Sequence, residues 1–208
     1  MKISIILSMP TELELLKEFE SYDNHRIKLH STGLDRDTNI PRFGLVPAAQ
    51  ATQKAIIMDK PDLVISVGTC GAINNGKIKI GDTIIANKCS YFDRILDDSF
   101  QSYGFGNFPC LFNDKFITNG VFIGKISSSN TFFTDKMQEI NFNKLESIAR
   151  DMESAAIADV CYSNNINCLV IRGVVSLLDE NDVNKTMTNY NLGINAAKIT
   201  FSNILKLI

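Results

Sequence analysis

Two carboxylates in this chain sit at the heads of helices beside apolar strands, one just after a strand and one in a helix that leads into the next. Glu12, in Met9-Pro-Thr-Glu12, follows the first apolar run by four residues, and Glu153 heads the Ala-rich stretch Arg150-Asp-Met-Glu-Ser-Ala-Ala-Ile-Ala158. A carboxylate in the first turn of a helix complements the dipole and can be an ordinary solvated cap. Beside a bound ligand the same placement yields a general base or an acceptor for hydroxyl groups. Ser154, Ala155, Ala156 and Ala158 make the second helix small-sided, so it packs closely and encloses its first turn. An enclosed Glu153 must find hydrogen-bond donors, and vicinal hydroxyls of a sugar would serve.

Between these carboxylates lies Gly68-Thr-Cys-Gly71, at the end of Val64-Ile-Ser-Val-Gly68. Turns at the carboxyl edge of an open α/β sheet are where such folds bind ligands. The two glycines let backbone approach a flat molecule, and Thr69 adds a hydroxyl; alone, the pattern is an ordinary tight turn. A second apolar run, Cys168-Leu-Val-Ile-Arg-Gly-Val-Val-Ser176, ends on a small hydroxyl. Cys70 has no base beside it and reads as packing. His25 and His30 fall in an early polar segment and read as surface residues. The chain has no phosphate-cradling Gly-Lys-Ser/Thr element and no dinucleotide fingerprint.

The elements that must carry these residues alternate. Runs 3–8, 62–67, 83–86, 121–126 and 168–175 are rich in Ile, Val and Leu and bounded by Gly, Pro, Asn or Asp, the pattern of strands buried on both faces. Segments 11–20, 46–59, 153–164 and 192–206 have helical spacing, with Thr11 and Asp151 available as caps. Strands alternating with helices predict an α/β sheet covered on both sides. Lys77–Ile85 alternates before turning apolar, which predicts a strand pair joined near Gly81-Asp82. Phe100–Phe112 is aromatic, contains glycine and fits no regular element; rings at that density need a cover. Asp182–Tyr190 is likewise left without an assignment.

Composition narrows the function classes. A chain of 208 residues with 45% apolar content is expected to form one well-packed domain. Lys and Arg number 21 against 23 acidic residues, without long like-charge runs, which excludes the basic stripe of a nucleic-acid binder. Five scattered cysteines, odd in number and without metal-ligand spacing, point to reduced thiols in a cytoplasm. No segment reaches membrane-span length and no secretory cleavage pattern is present, so a cytoplasmic protein with no membrane contact is expected.

The motifs Val67-Gly-Thr-Cys-Gly71, Ile80-Gly-Asp82, Asp93-Arg94, Tyr103-Gly104 and Asp151-Met-Glu153, with Met9-Pro-Thr-Glu12, resemble the nucleosidases that cut 5'-methylthioadenosine and S-adenosylhomocysteine, within the nucleoside phosphorylase superfamily. The likeness covers nearly the whole chain, is closest from Pro41 to Ile208, and looks most like the plant-type members. It implies a single three-layer α/β/α domain over residues 1–208 with a twisted mixed sheet, no metal and no cofactor. It also implies a homodimer, with Phe100, Tyr103, Phe105 and Phe108 near the interface.

By position, the resemblance makes Glu12 the base that activates water. Glu153 and Met152 hold the ribose, with Asp151 beside them. Phe132 and Phe133 flank the adenine, Met9 lines the region of the sugar and its 5' sulfur substituent, and Thr69, Cys70 and Gly71 form the base-binding turn. Phosphorylases of the superfamily use arginines for phosphate; the position before Val67-Gly68 is Ser66 here, which favours a hydrolase.

Three departures accompany the likeness. Ser176 stands where the family has its general acid, Phe92 stands where a histidine precedes the Asp-Arg pair, and the segment before Gly44 is shortened. A serine hydroxyl hydrogen-bonds a purine but does not deliver a proton near neutral pH, and losing a general acid costs roughly 10²- to 10⁴-fold in rate. Asp179, three residues on, would replace the acid only if its loop were rearranged. The reading is a slow or altered nucleosidase. The alternatives are a catalytically silent adenine-nucleoside binder and a hydrolase for another purine.

Overall fold

Branched apolar side chains fit a pleated surface covered from both sides, and the Ile/Val/Leu runs of this chain become such strands. In a computed structural model, which describes residues 1–22, 24–178 and 182–208, they are β1 (Lys2–Leu7), β2 (Arg26–Ser31), β3 (Leu63–Ala72), β4 (Thr83–Tyr91), β5 (Phe108–Pro109), β6 (Val121–Ser128), β7 (Ala149–Asp151) and β8 (Asn167–Leu177). The helices are α1 (Pro10–Leu16), continued by a 3-10 turn over Lys17–Ser21, α2 (Leu45–Asp59), α3 (Gln101–Phe105), α4 (Lys136–Lys144), α5 (Ser154–Ser163) and α6 (Val183–Leu205).

All eight strands belong to one mixed sheet. β1 lies between β2 and β3, parallel to both. β3 pairs with β8 in parallel along one edge, and its last two residues pair antiparallel with β7 on the other. β7 continues in parallel to β6, and β6 to β4. Because β4 also pairs antiparallel with β8, the series β3, β7, β6, β4, β8 closes on itself. β1 runs beside β3 only as far as Ser66, so Val67–Ala72 project past it. That projecting half of β3 forms the floor on which the functional residues gather.

Alternation along the strands divides the interior in two. Ile3, Ile5, Leu63, Ile65, Leu169 and Ile171 face Leu16 of α1 and Ile194, Ala197 and Phe201 of α6. Ile6, Val64, Val170 and Val174 face α2 and α5 through Ala48, Ala55, Ala155 and Ala158. Gly173 of β8 and Gly193 of α6 are in backbone contact, and a Cβ on Gly173 would overlap the Gly193 carbonyl. This pair seats the middle of α6 against β8.

The structure corrects several local expectations. Residues 77–82 form no strand pair, because the Asn75 and Asp82 side chains take the N–H groups of Lys77, Ile78 and Lys79 that a ladder would use. α6 begins at Val183 rather than 192 and absorbs the unassigned segment. Phe100–Phe112 contains α3 and β5. Thr11 does not cap α1: Met9 occupies the N-cap, and the Glu12 side chain takes the free amides. His25 and His30 are half-buried rather than on the surface, the latter 2.6 Å from Asp59 Oδ2.

Candidate active site

α1 starts at Pro10, whose missing N–H costs nothing at the first helical position. Two residues later, Glu12 folds back so that Oε2 accepts from Ser8 N at 2.9 Å and Met9 N at 3.0 Å. The cap reading is therefore correct, but the side chain is only 4% exposed. Its other oxygen, Oε1, accepts from the Tyr190 hydroxyl at 3.1 Å. Burial pushes the Glu12 carboxyl above its ordinary range, while the two amides, the charge of Arg172 and the phenol oppose that rise.

Arg172, on β8, is 2% exposed and organises the acids around it. Its Nε donates to Asp151 Oδ2 at 2.7 Å, Nη2 to Ser66 Oγ at 2.9 Å and Nη1 to the Ile171 carbonyl at 3.1 Å. Asp151, at the end of β7, also accepts from Ser128 Oγ at 2.5 Å and from both the backbone and hydroxyl of Ser154. A buried ion pair survives only with its remaining donors and acceptors satisfied, and these serines supply them. The charges of Asp151 and Glu153 drive the arginine pKa up against its burial. A Cβ on Gly68 would stand 3.3 Å from Arg172 Nη1 and 3.4 Å from Glu12 Oε1. Glycine at this point leaves open the space where cation and carboxylate meet.

Glu153 is the N-cap residue of α5, and its Oε1 accepts from Gly44 N at 3.0 Å. Gly44 has φ +101°, a conformation that suits glycine, and Asn130 Oδ1 holds the next amide, Leu45 N, at 3.0 Å. The head of α2 is thereby pinned beside Glu153. Burial and the neighbouring Asp151 charge push the Glu153 carboxyl up to about 7, against the opposing pull of Arg172.

On β8 the register skips Val175, so that Cys70 pairs with Val174 and Gly71 with Ser176. The bulge re-aims the strand end and sets Ser176 Oγ 3.1 Å from where a Cβ on Gly71 would lie. Gly71 also pairs with Arg150 on β7, so Arg150, Gly71 and Ser176 form one row across the sheet. A cleft of about 430 Å³ joins Glu12, Tyr190, Arg172, Asp151, Glu153, Gly68, Gly71, Arg150 and Ser176. Of the residues expected from the sequence, Met9, Glu12, Thr69, Cys70, Gly71, Phe132, Asp151, Met152, Glu153 and Ser176 line it. Phe133 is exposed and packs edge-on against Phe132 without joining the lining. Cys70 is buried, and desolvation pushes its thiol far up, which leaves it inert. Phe92, at the position where the resemblance puts a histidine, is buried against Phe142. Asp179 lies outside the described residues.

The sequence reading missed Arg172, Tyr190 and Arg150. Arg172 had a signal: one cation inside an otherwise apolar buried run must be paired. Arg150 stood beside the Asp-Met-Glu motif, and the structure turns it into the cleft wall with Nη1 donating to Thr134 Oγ1 at 2.9 Å.

The sequence profile of the phosphorylase superfamily matches residues 2–206. A 5'-methylthioadenosine/S-adenosylhomocysteine nucleosidase of Buchnera aphidicola is 31% identical, covering 100% of this chain and 97% of its own length. This chain belongs to the same nucleosidase family. A member from Arabidopsis thaliana is 24% identical over 91% of this chain and 76% of that one. The fold likeness is close: an Arabidopsis 5'-methylthioadenosine nucleosidase in apo form superposes with a TM-score of 0.91 at 22% identity, covering 99% of this chain and 95% of that one. Among the described residues no helix is long and apolar enough to cross a membrane. Nor does any group of three or more His, Cys, Asp or Glu side chains have the geometry to hold a metal ion. In this member of the family the row Arg150–Gly71–Ser176 ends on a hydroxyl and not on a carboxylate.

Proposed function

We propose that this nucleosidase hydrolyses the N-glycosidic bond of nucleosides of the 5'-methylthioadenosine and S-adenosylhomocysteine type, releasing adenine by a slowed acid step. The observation that carries the reading is that Glu12 and Glu153 face one cleft whose floor is the open backbone of Gly68–Gly71. With the purine over Gly71, the bond from N9 to C1' breaks with its electron pair passing to the base. Water adds to C1' and gives its proton to Glu12. Glu153 accepts from the ribose hydroxyls, and its protonation near neutral pH leaves it able to donate as well.

Ser176 hydrogen-bonds the purine edge without protonating it, so the leaving base takes its proton from solvent. That is the physical ground for a rate reduced by roughly 10²- to 10⁴-fold. Water rather than phosphate is supported as the nucleophile, because Arg172 is already committed to Asp151 and Ser66. A phosphate dianion there would meet Glu12, Glu153 and Asp151 together.

The same reading includes a homodimer in a cytoplasmic setting. Phe100 and Tyr103 on and beside α3 are 63% and 76% exposed, a face that a second copy would cover. Phe105 is buried, and Phe108 packs against Tyr91 and Tyr162, so these two support that face from below.

Adenine release from 5'-methylthioadenosine at high enzyme concentration, with Glu12→Ala as the background, tests the proposal. Release above that background supports it. Nucleoside binding with no release makes the chain a binder, and neither binding nor release overturns the assignment of the cleft.

A further inference from the structure

Helix α6 brings a phenol to the carboxylate that the proposed mechanism uses as its base. Tyr190 is half-buried in the cleft wall, two turns into α6. Its oxygen accepts from Thr11 Oγ1 at 3.2 Å, and its O–H donates to Glu12 Oε1 at 3.1 Å. A tyrosine hydroxyl has a single proton and an ionised carboxylate only accepts, so the chain of hydrogen bonds runs from Thr11 to Tyr190 to Glu12. The amides of Ser8 and Met9 occupy Oε2. Oε1 is the oxygen on the Gly68 and Arg172 side, and the phenol fixes its direction. Three residues further along α6, Gly193 lies in backbone contact with Gly173 of β8.

We propose that Tyr190 is a positioning residue for the reaction, whose O–H holds Glu12 Oε1 ionised and aimed at the open space over Gly68, where the attacking water binds. The proposal rests on the reading of Glu12 as the base. The charged groups facing Glu12 are Arg172 from β8 and the acids Glu153 and Asp151 from the head of α5 and the end of β7. Arg172 favours the ionised form, the two acids disfavour it, and burial disfavours it most. The phenol counters that burial from the α6 side. Its own ionisation is pushed up, first by burial and then by the Glu12 charge, so it remains a donor throughout the working pH range.

The direct test needs no turnover. Protein labelled with ¹³C at the glutamate carboxyls is titrated by NMR without ligand, with Glu12→Gln assigning the resonance, in the parent and in Tyr190→Phe. The expected result is an upward move of the Glu12 midpoint by about one pH unit, the size carried by a hydrogen bond to an ionised group. An unchanged midpoint overturns the proposal. Thr11→Val, at an exposed position, gives a second route should Tyr190→Phe fold poorly; it should produce a smaller shift in the same direction, and no shift counts against the relay.

Kinetics then separate positioning from wall-building. Tyr190→Phe should lower kcat about 3- to 10-fold at neutral pH, leave KM nearly unchanged, and move the acidic limb of the pH profile upward. A rise in KM alone, with coincident limbs, would assign Tyr190 to substrate contact instead. A clear NMR shift in a parent protein that releases no adenine would leave the Tyr190–Glu12 coupling standing and remove the nucleosidase reading.

Discussion

Ser176 and Gly71 are register partners across β8 and β3, and the serine hydroxyl points into the space that glycine leaves open. A carboxylate at position 176 would therefore reach the same spot above Gly71, where the proposed mechanism puts the purine. Ser176→Asp should raise hydrolysis of 5'-methylthioadenosine by at least about tenfold, which initial rates of adenine release would read. Equal rates would mean that the purine sits elsewhere in the cleft.

Arg172 is buried against Asp151 and cannot be removed alone without stranding that acid. Arg172→Met should destabilise the fold by about 3 to 5 kcal/mol, measured by urea unfolding. Adding Asp151→Asn to it should recover a substantial part of the loss. If the single variant is as stable as the parent, the pair is not holding the site together.

Glu153 titrates near 7 in the folded protein, against an ordinary value of 4.5. The folded state thus keeps this proton where the unfolded chain has released it. The associated stability is fully present below pH 4.5 and is lost as pH rises through about 7, a swing on the order of 3 kcal/mol. Glu153→Gln keeps an acceptor for Gly44 N and removes the titration. Its stability relative to the parent should grow from pH 5 to pH 8 in parallel denaturation curves; a constant difference would refute the coupling.

A methyl group on Gly193 would come within 2.5 Å of Val175 Cγ1. Gly193→Ala should push the middle of α6 off β8, cost about 1 to 3 kcal/mol, and weaken the Tyr190 contact with Glu12 one turn earlier in the helix. Loss of activity exceeding the loss of folded protein, measured at a temperature where the variant is intact, would be the signature.

The sheet was legible because apolar runs of Ile, Val and Leu have few alternatives to a strand buried on both faces. The site was legible in part, since Glu12 and Glu153 sit where strand ends meet helix starts; Gly68–Gly71, expected as a turn, instead continues β3, because β8 and β7 supply ladder partners to its backbone. Other features were hidden for physical reasons. In α6, Val183, Met187, Tyr190 and Ile194 recur at helical spacing, but Val183 and Met187 stay exposed and Tyr190 lines the cleft. The surrounding Asn and Thr residues mask the pattern, and with it the contact to Glu12. Lys77-Ile-Lys-Ile80 alternates like a strand, but side chains of Asn75 and Asp82 capture its amides first. The Val175 bulge has no sequence marker, because it depends on the register between β3 and β8 and on no residue type.

The closed series of strands also determines how copies of this protein can meet. The two end strands of the sheet order are β2 and β5. β2 carries Arg26 and Lys28, and β5 is two residues long and ends in Pro109. Charge, brevity and proline all discourage one chain from extending the ladder of another. At either end of the sheet, another chain therefore finds little to pair with, and the interior of the closed series offers it nothing.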